Sequence, residues 1–407
     1  MKQTKIMIIG GGAAGIMAAI AAARNNAKVT ILEKNSRIGR KILVTGNGRC
    51  NYTNINATGE DYNHPWFVSG SINLFGPRET IKFFKELGIE PLVEQNGRVY
   101  PRSEQASSIV DVFLDELKRL DVNVINGMNV CRIVKNGSGF SAISTDGEKF
   151  ESDSVIITTG GMAMPTSGSN GSGYSLAQAL GHKLIRTLPA LVKLKLESPY
   201  LKHLDGVKVQ GTAALIIDGK KVDERSGDIL FTGYGISGPT ILDLSRQAAL
   251  ALETGSETLI RVILIGKSEK IDISKRFLDN PSKQIDHCLI GLINKRLISP
   301  LLKEAKIAKH THPAAALSSS DIDSITRLLT GWDFVVSGTR PFEDTQITVG
   351  GIDVAMVDPK TMESTKVPGL YFAGEILDID GPCGGFNLQW AWTSGHVAGT
   401  SAAGNRS

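Results

Sequence analysis

Residues Lys5 to Glu33 read KIMIIGGGAAGIMAAIAAARNNAKVTILE, in the order strand, glycine turn, helix, strand. Gly10, Gly12 and Gly15 spell G-x-G-x-x-G. Ile6 to Ile9 form a short apolar run suited to a parallel strand covered on both faces. Gly10 suits the tight turn, Gly12 lets backbone approach a pyrophosphate, and Gly15 lets helix and strand pack closely. The following helix offers free N–H groups and its positive dipole end to phosphates. A second strand, Lys28 to Leu32, ends at Glu33, whose carboxylate can accept hydrogen bonds from ribose hydroxyls. A bare glycine pattern would say little. In this setting it indicates a dinucleotide site.

Two plainer readings compete. The uncharged run from Ile6 to Ala23 is also compatible with a signal peptide or a membrane span. Three consecutive glycines inside it, then a charged strand completing a βαβ unit, argue against both. A βαβ unit without a ligand would leave the glycines and Glu33 with no task.

Composition sets the bounds. A chain of 407 residues can hold two or three domains. Hydrophobic content of 41% and charged content of 21% are those of an ordinary globular protein. The net charge is only +4 and no Lys/Arg block stands out, so no nucleic-acid partner is expected. Cys50, Cys131, Cys288 and Cys383 are scattered without C-x-x-C, which indicates neither a disulfide framework nor a zinc cluster. The seven histidines show no metal spacing, and His310 and His312 read as a loop pair beside Pro313. A reducing cytoplasm and no membrane association fit best.

Beyond Lys34, the run from Gly39 to Asn51 (GRKILVTGNGRCN) is too rich in glycine and asparagine for a core helix and reads as a shaped loop. Its N–H groups, with Arg40 or Arg49, can hold phosphate and ring oxygens. Lys34, Lys41, Gly46 and Asn47 join the candidate set. Arg78 to Leu87 and Ser103 to Leu120 have helical spacing, Val122 to Ile125 reads as a third parallel strand, and Asn136-Gly137 marks a hairpin. A buried strand, Ser154 to Thr158, ends at Thr159-Gly160-Gly161, small residues that leave room for a ligand. From Leu188 to Ile265 the alternation suggests an antiparallel sheet or barrel, broken at FTGYGISGP (Phe231 to Pro239), where Ser237 is placed to cap a helix. Asp286 to Leu301 and Ser320 to Leu329 have helical spacing.

The closing segment repeats the logic of the first. Strand Leu370 to Ala373 leads through Gly374-Glu375 and a glycine-rich loop ending at Gly385. A helix follows that carries Asn387 and Leu388 in its first turn and Trp390 and Trp392 toward the core.

Residue physics does not choose between FAD and NAD. Gly39 to Asn51, Phe231 to Pro239 and GEILDIDGPCGGFNLQWAW (Gly374 to Trp392), with the N-terminal glycines, resemble the aminoacetone oxidase family of three-domain bacterial flavoproteins. That family belongs to the glutathione-reductase-type FAD superfamily, and the resemblance covers essentially the whole chain. It implies an α/β fold: a Rossmann-type FAD-binding domain (1–189 and 345–407) with an inserted β-rich, barrel-like domain (190–268 and 332–344) and a small helical domain (269–331). It further implies that Ala13, Ala14 and their neighbours touch the pyrophosphate and that Glu33 touches the adenosine ribose. Arg40 and Gly46 would lie along the cofactor, the Val130 backbone would meet the adenine, and Glu375 would sit near the ribityl-phosphate. The Asn387 and Leu388 N–H groups would face the pyrimidine edge of the flavin, where donors favour negative charge. The chain departs from the family pattern at Gly233, where many relatives carry His, and at Ser172, where Asp is common in related flavoproteins.

The implied activity is oxidation of a small amine such as aminoacetone, with dioxygen as electron acceptor and hydrogen peroxide as product. The rival is a reductase that loads the flavin from NAD(P)H and reduces an unsaturated substrate. No second strand-glycine-helix unit exists to hold a nicotinamide stably, so NAD(P)H would visit only transiently. A flavin-binding redox sensor using Cys50 or Cys383 is the third reading; against it, neither has a partner cysteine at redox spacing. No residue stands out as a catalytic base. His396 is the nearest by sequence, and its helical spacing reads as structural.

Overall fold

Five short strands have almost no polar residue between their ends, and all but the half-exposed edge strand Asn123–Asn126 are largely buried. They are β1 (Lys5–Ile9), β2 (Lys28–Glu33), β3 (Asn123–Asn126), β4 (Ser154–Ile157) and β5 (Leu370–Phe372). In the computed structural model, which describes residues 3–266 and 269–404, they form one parallel sheet in the order β5-β4-β1-β2-β3. Ile8, Ile31 and Ile156 are wholly buried, as strands sandwiched between helices must be. The crossover α1 (Ala13–Arg24) packs against the C-terminal α3 (Phe386–Ala402); the shorter α2 (Ser172–Ala179) follows β4. On α3, Gly395 and Gly399 lie against α1 so closely that a Cβ on either would come within 2.5 Å of the Ala14 or Ala18 carbonyl oxygen. Both ends of the sequence therefore meet in one layer. Trp390 and Trp392 are buried there, and Trp392 Nε1 donates to the Tyr52 carbonyl at 2.7 Å.

Two units divide the chain: Met1–Leu188 with Gln346–Ser407, and Pro189–Thr345. The second contains a closed six-stranded barrel whose inside is filled by Leu215, Phe231, Ile260 and Phe334. The helices between Ile273 and Thr330 contribute Phe277, Leu301 and Ile325 to the same hydrophobic core.

Two expectations for this unit are corrected. Ser237 does not cap a helix: it ends a barrel strand opposite Leu230, and Gly238 (φ 104°) is the N-cap of Pro239–Glu253. The helical stretch expected over Asp286 to Leu301 is two helices, Ile285–Leu289 and Lys295–Glu304, separated at Gly291 (φ 80°). Among the described residues, no helix is long and apolar enough to cross a membrane and no cluster of side chains could hold a metal ion.

Candidate cofactor cleft

The carboxyl ends of β1, β2, β4 and β5 and the N-termini of α1 and α3 border one cleft, which encloses about 1240 Å³ out to its mouth. A cleft outside the carboxyl ends of parallel strands is where such a fold takes a dinucleotide. All of its lining belongs to the first unit.

At one end stands Glu33, 6% exposed. Its Oε2 accepts from the Gly11 N–H at 2.7 Å; its Oε1 accepts from the Asn35 N–H at 2.8 Å and Asn35 Nδ2 at 2.6 Å. Two carboxylate oxygens offer about four acceptor sites, so about one remains for a further donor. Arg40 Nη1 donates to Asn35 Oδ1 at 2.9 Å and so holds the residue that holds the acid. Lys34 Nζ donates to Asn170 Oδ1 at 2.5 Å, and burial lowers its pKa against the pull of Glu33. Where β5 ends, Lys41 Nζ pairs with Glu375 Oε2 at 2.5 Å while Glu375 Oε1 accepts from the Thr348 N–H at 2.8 Å.

At the start of α3 no side chain caps the helix, so its first N–H groups are open. The Asn387 side chain is turned the other way. Its Oδ1 accepts from the Gly381 N–H and its Nδ2 donates to the Gly381 carbonyl, which pins the preceding loop. Gly385 (φ 100°) has its Cα close against Thr53; a Cβ there would meet the Thr53 carbonyl oxygen at 2.4 Å.

Of the residues singled out in the sequence, Gly10, Gly12, Ala13, Ala14, Glu33, Lys34, Arg40, Lys41, Val130, Thr159, Gly160, Gly374, Glu375, Asn387 and Leu388 line the cleft. Gly15, Gly46, Asn47, Gly161 and Gly385 do not. Gly15 sits behind the wall, where a Cβ would come 2.0 Å from the Gly10 carbonyl oxygen. Gly46 and Asn47 form a left-handed turn beyond Thr45, and Asn47 is exposed. His396 stacks on Phe75 with ring centroids 4.2 Å apart and is not part of the cleft lining.

Sequence reading missed Ser167, Gly168 and Ser169, which line the cleft opposite Lys34, and the indole N–H of Trp390. The serine–glycine run was visible, but nothing in it told which side chain turns inward.

Whether these residues suit FAD is answered by the groups left unsatisfied. Thr159 Oγ1, Ser169 Oγ and Trp390 Nε1 belong to residues that line the cleft, are buried and have no hydrogen-bond partner in the protein. Buried polar atoms without partners are rare, and a hydroxyl- and phosphate-bearing ligand supplies what they lack. Gly12 adds a bare cradle, since a Cβ there would meet nothing within 4 Å. The residues fit. Glu33 and the α1 N-terminus would hold ribose and pyrophosphate, and the α3 N-terminus would hold the flavin.

Comparison with known proteins adds the following. The model of the HI0933-like protein Rossmann domain family matches residues 4–401. A 3-dehydro-bile acid delta(4,6)-reductase of Clostridium scindens is 39% identical over 98% of this chain and 99% of its own. A ribosomal RNA dihydrouridine synthase of Escherichia coli K12 is 29% identical over 97% and 96%. Among solved structures, a 3-ketosteroid delta1-dehydrogenase from Sterolibacterium denitrificans superposes with a TM-score of 0.52 at 11% identity, covering 98% of this chain and 99% of that one. That likeness is one of fold.

Proposed function

This chain belongs to the HI0933-like FAD-binding Rossmann family of FAD-dependent oxidoreductases, and from that premise we propose that it reduces a carbon–carbon double bond conjugated to a carbonyl in a small, largely apolar molecule. The observation that carries this reading is the end-to-end likeness to the bile acid reductase. The dihydrouridine synthases point to the same bond change on a different scaffold. A 4,6-dienone and the uracil ring each present C=C conjugated with C=O, and each product gains two hydrogens across it. What such relatives share is the reaction, not the size of the substrate.

The balance is simple: a hydride goes to the carbon β to the carbonyl and a proton to the carbon α to it, with NAD(P)H, a transient visitor, as the electron source. When bound, the flavin supplies the two-electron transfer. The chain's own residues supply position and charge. The open N–H groups at the start of α3 would favour negative charge on a flavin ring held there. Gly12 and the α1 N-terminus fix the nucleotide end. The Lys41–Glu375 pair, anchored by the Thr348 N–H, keeps a cation in the cleft without leaving it unpaired. Location in the reducing cytoplasm belongs to the same proposal and is supported by four cysteines of which none forms a disulfide.

The amine-oxidase reading uses the same cofactor in the opposite direction. Anaerobic titration of the yellow holoprotein separates the two. We expect NADH or NADPH to bleach the flavin and a 3-oxo-4,6-diene steroid to restore its colour, with the mono-ene that has gained two hydrogens found in equal amount. Bleaching by aminoacetone, with peroxide formed on admitting air and no turnover of the dienone, overturns the proposal. Turnover of uridine in RNA but not of the steroid would keep the reaction and reject the small substrate.

A further inference from the structure

The segment from Gly161 to Gly171 leaves the sheet and returns to its starting point, where the Gly171 N–H donates to the Gly161 carbonyl at 2.9 Å. A loop of this length with its ends tied together is an Ω-loop, a compact surface element often put to functional use. Its crown and its returning end are both held. Lys34 Nζ donates to Asn170 Oδ1 at 2.5 Å, and Asn35 Nδ2 donates to the Ser167 carbonyl at 3.2 Å. Lys34 and Asn35 directly follow Glu33, so the two fasteners reach from the end of β2 to the crown of the loop at Ser167 and to its returning end at Asn170. Between them, Ser167, Gly168 and Ser169 line the cleft. Ser169 is 6% exposed and its hydroxyl has no protein partner. Gly168 lies so close to Asn35 that a Cβ would meet Nδ2 at 2.3 Å. The Lys34 ammonium also donates to Ser172 Oγ at 3.4 Å, so two of its three donors hold the returning end of the loop.

We propose that Gly161–Gly171 is a strap closed over the adenosine end of FAD, fastened by Lys34 to Asn170 and touching the cofactor through the Ser169 hydroxyl. Lys34 is a positioning residue and acts through the strap. The strap governs how fast FAD leaves, and it acts whatever the substrate.

The test is the rate of FAD release from diluted holoprotein, read as the rise in free-FAD fluorescence. Lys34→Met and Asn170→Ala each remove the same charge-assisted bond and are each expected to speed release about tenfold. The double variant is expected to be no faster than Lys34→Met, because one fastener can be lost only once. Ser169→Ala is expected to speed release while leaving the fastener intact. The flavin reduction potential and the apoprotein melting temperature of Lys34→Met are expected to stay at the wild-type values. Wild-type release from Asn170→Ala, or multiplied effects in the double variant, overturns the strap and makes Lys34 a direct ligand or a bystander. Should Lys34→Met fail to fold, Asn170→Asp decides. It keeps the acceptor and adds charge, so release must be no faster than wild type, and faster release rejects the proposal.

Discussion

Glu33 shows how a single carboxylate is prepared for a ligand. Three backbone and side-chain donors already orient it, and a hydrogen bond to a charged group contributes about 1.5–3 kcal/mol. Glu33→Ala removes the proposed ribose acceptor and leaves the Gly11 N–H without its present partner. We expect the Kd for FAD to rise on the order of 10- to 100-fold, measured by fluorescence titration of apoprotein; unchanged FAD content rejects the role. Cys50 makes the opposite case. It is fully buried, and burial pushes its thiol up to about 12. Since the thiolate is the reactive form, native protein at pH 7.5 is expected to leave Cys50 unlabelled by iodoacetamide, checked by peptide mass spectrometry. Rapid labelling would revive the sensor reading for that residue.

At the scale of elements, sequence spoke most clearly where backbone does the work. Gly10, Gly12 and Gly385 are legible because a pyrophosphate or a helix end needs bare backbone there, and no other residue supplies it. The barrel was legible only in part. Lys220–Thr232 is a thirteen-residue strand whose first half is charged and exposed, so its alternation is hidden. The inward face of the strap was not legible at all, because a run of serines and glycines carries no period to say which hydroxyl turns inward. The start of α3 gives the sharpest test. Gly385→Ala must adopt φ near 100° and place a methyl 2.4 Å from the Thr53 carbonyl oxygen. Left-handed backbone alone costs about 1–2 kcal/mol, and relief of the clash moves the helix end. We expect loss of FAD from the purified protein and a fall of several degrees in melting temperature; full FAD occupancy would show that the helix start is not the flavin's seat.

For the whole molecule, two hydrophobic cores mean two stabilities, and what acts on one can be told from what acts on the other. The cleft proposed for FAD is lined by the first unit, so at about 100 times its Kd FAD is expected to stabilise that unit by about 2.7 kcal/mol. For roughly 250 residues this is about 5–10 °C. Acid acts on the same unit with the opposite sign. His182 is buried between the Ala177 carbonyl and the Ser364 hydroxyl, and His396 is half-buried against Phe75. Burial lowers both pKa values, and Lys366 and Arg24 add to the effect. With folded values below the unfolded 6.5, the unfolded chain takes up more protons as pH falls, so stability is full above about pH 6.5 and declines below it. Calorimetry at pH 7.5 and 5.5, with and without FAD, is expected to show one transition that rises with FAD and drops with acid. The His182→Gln variant is expected to lose part of that acid sensitivity. If the FAD-responsive transition keeps its midpoint between the two pH values, these two histidines are not the source of the acid response.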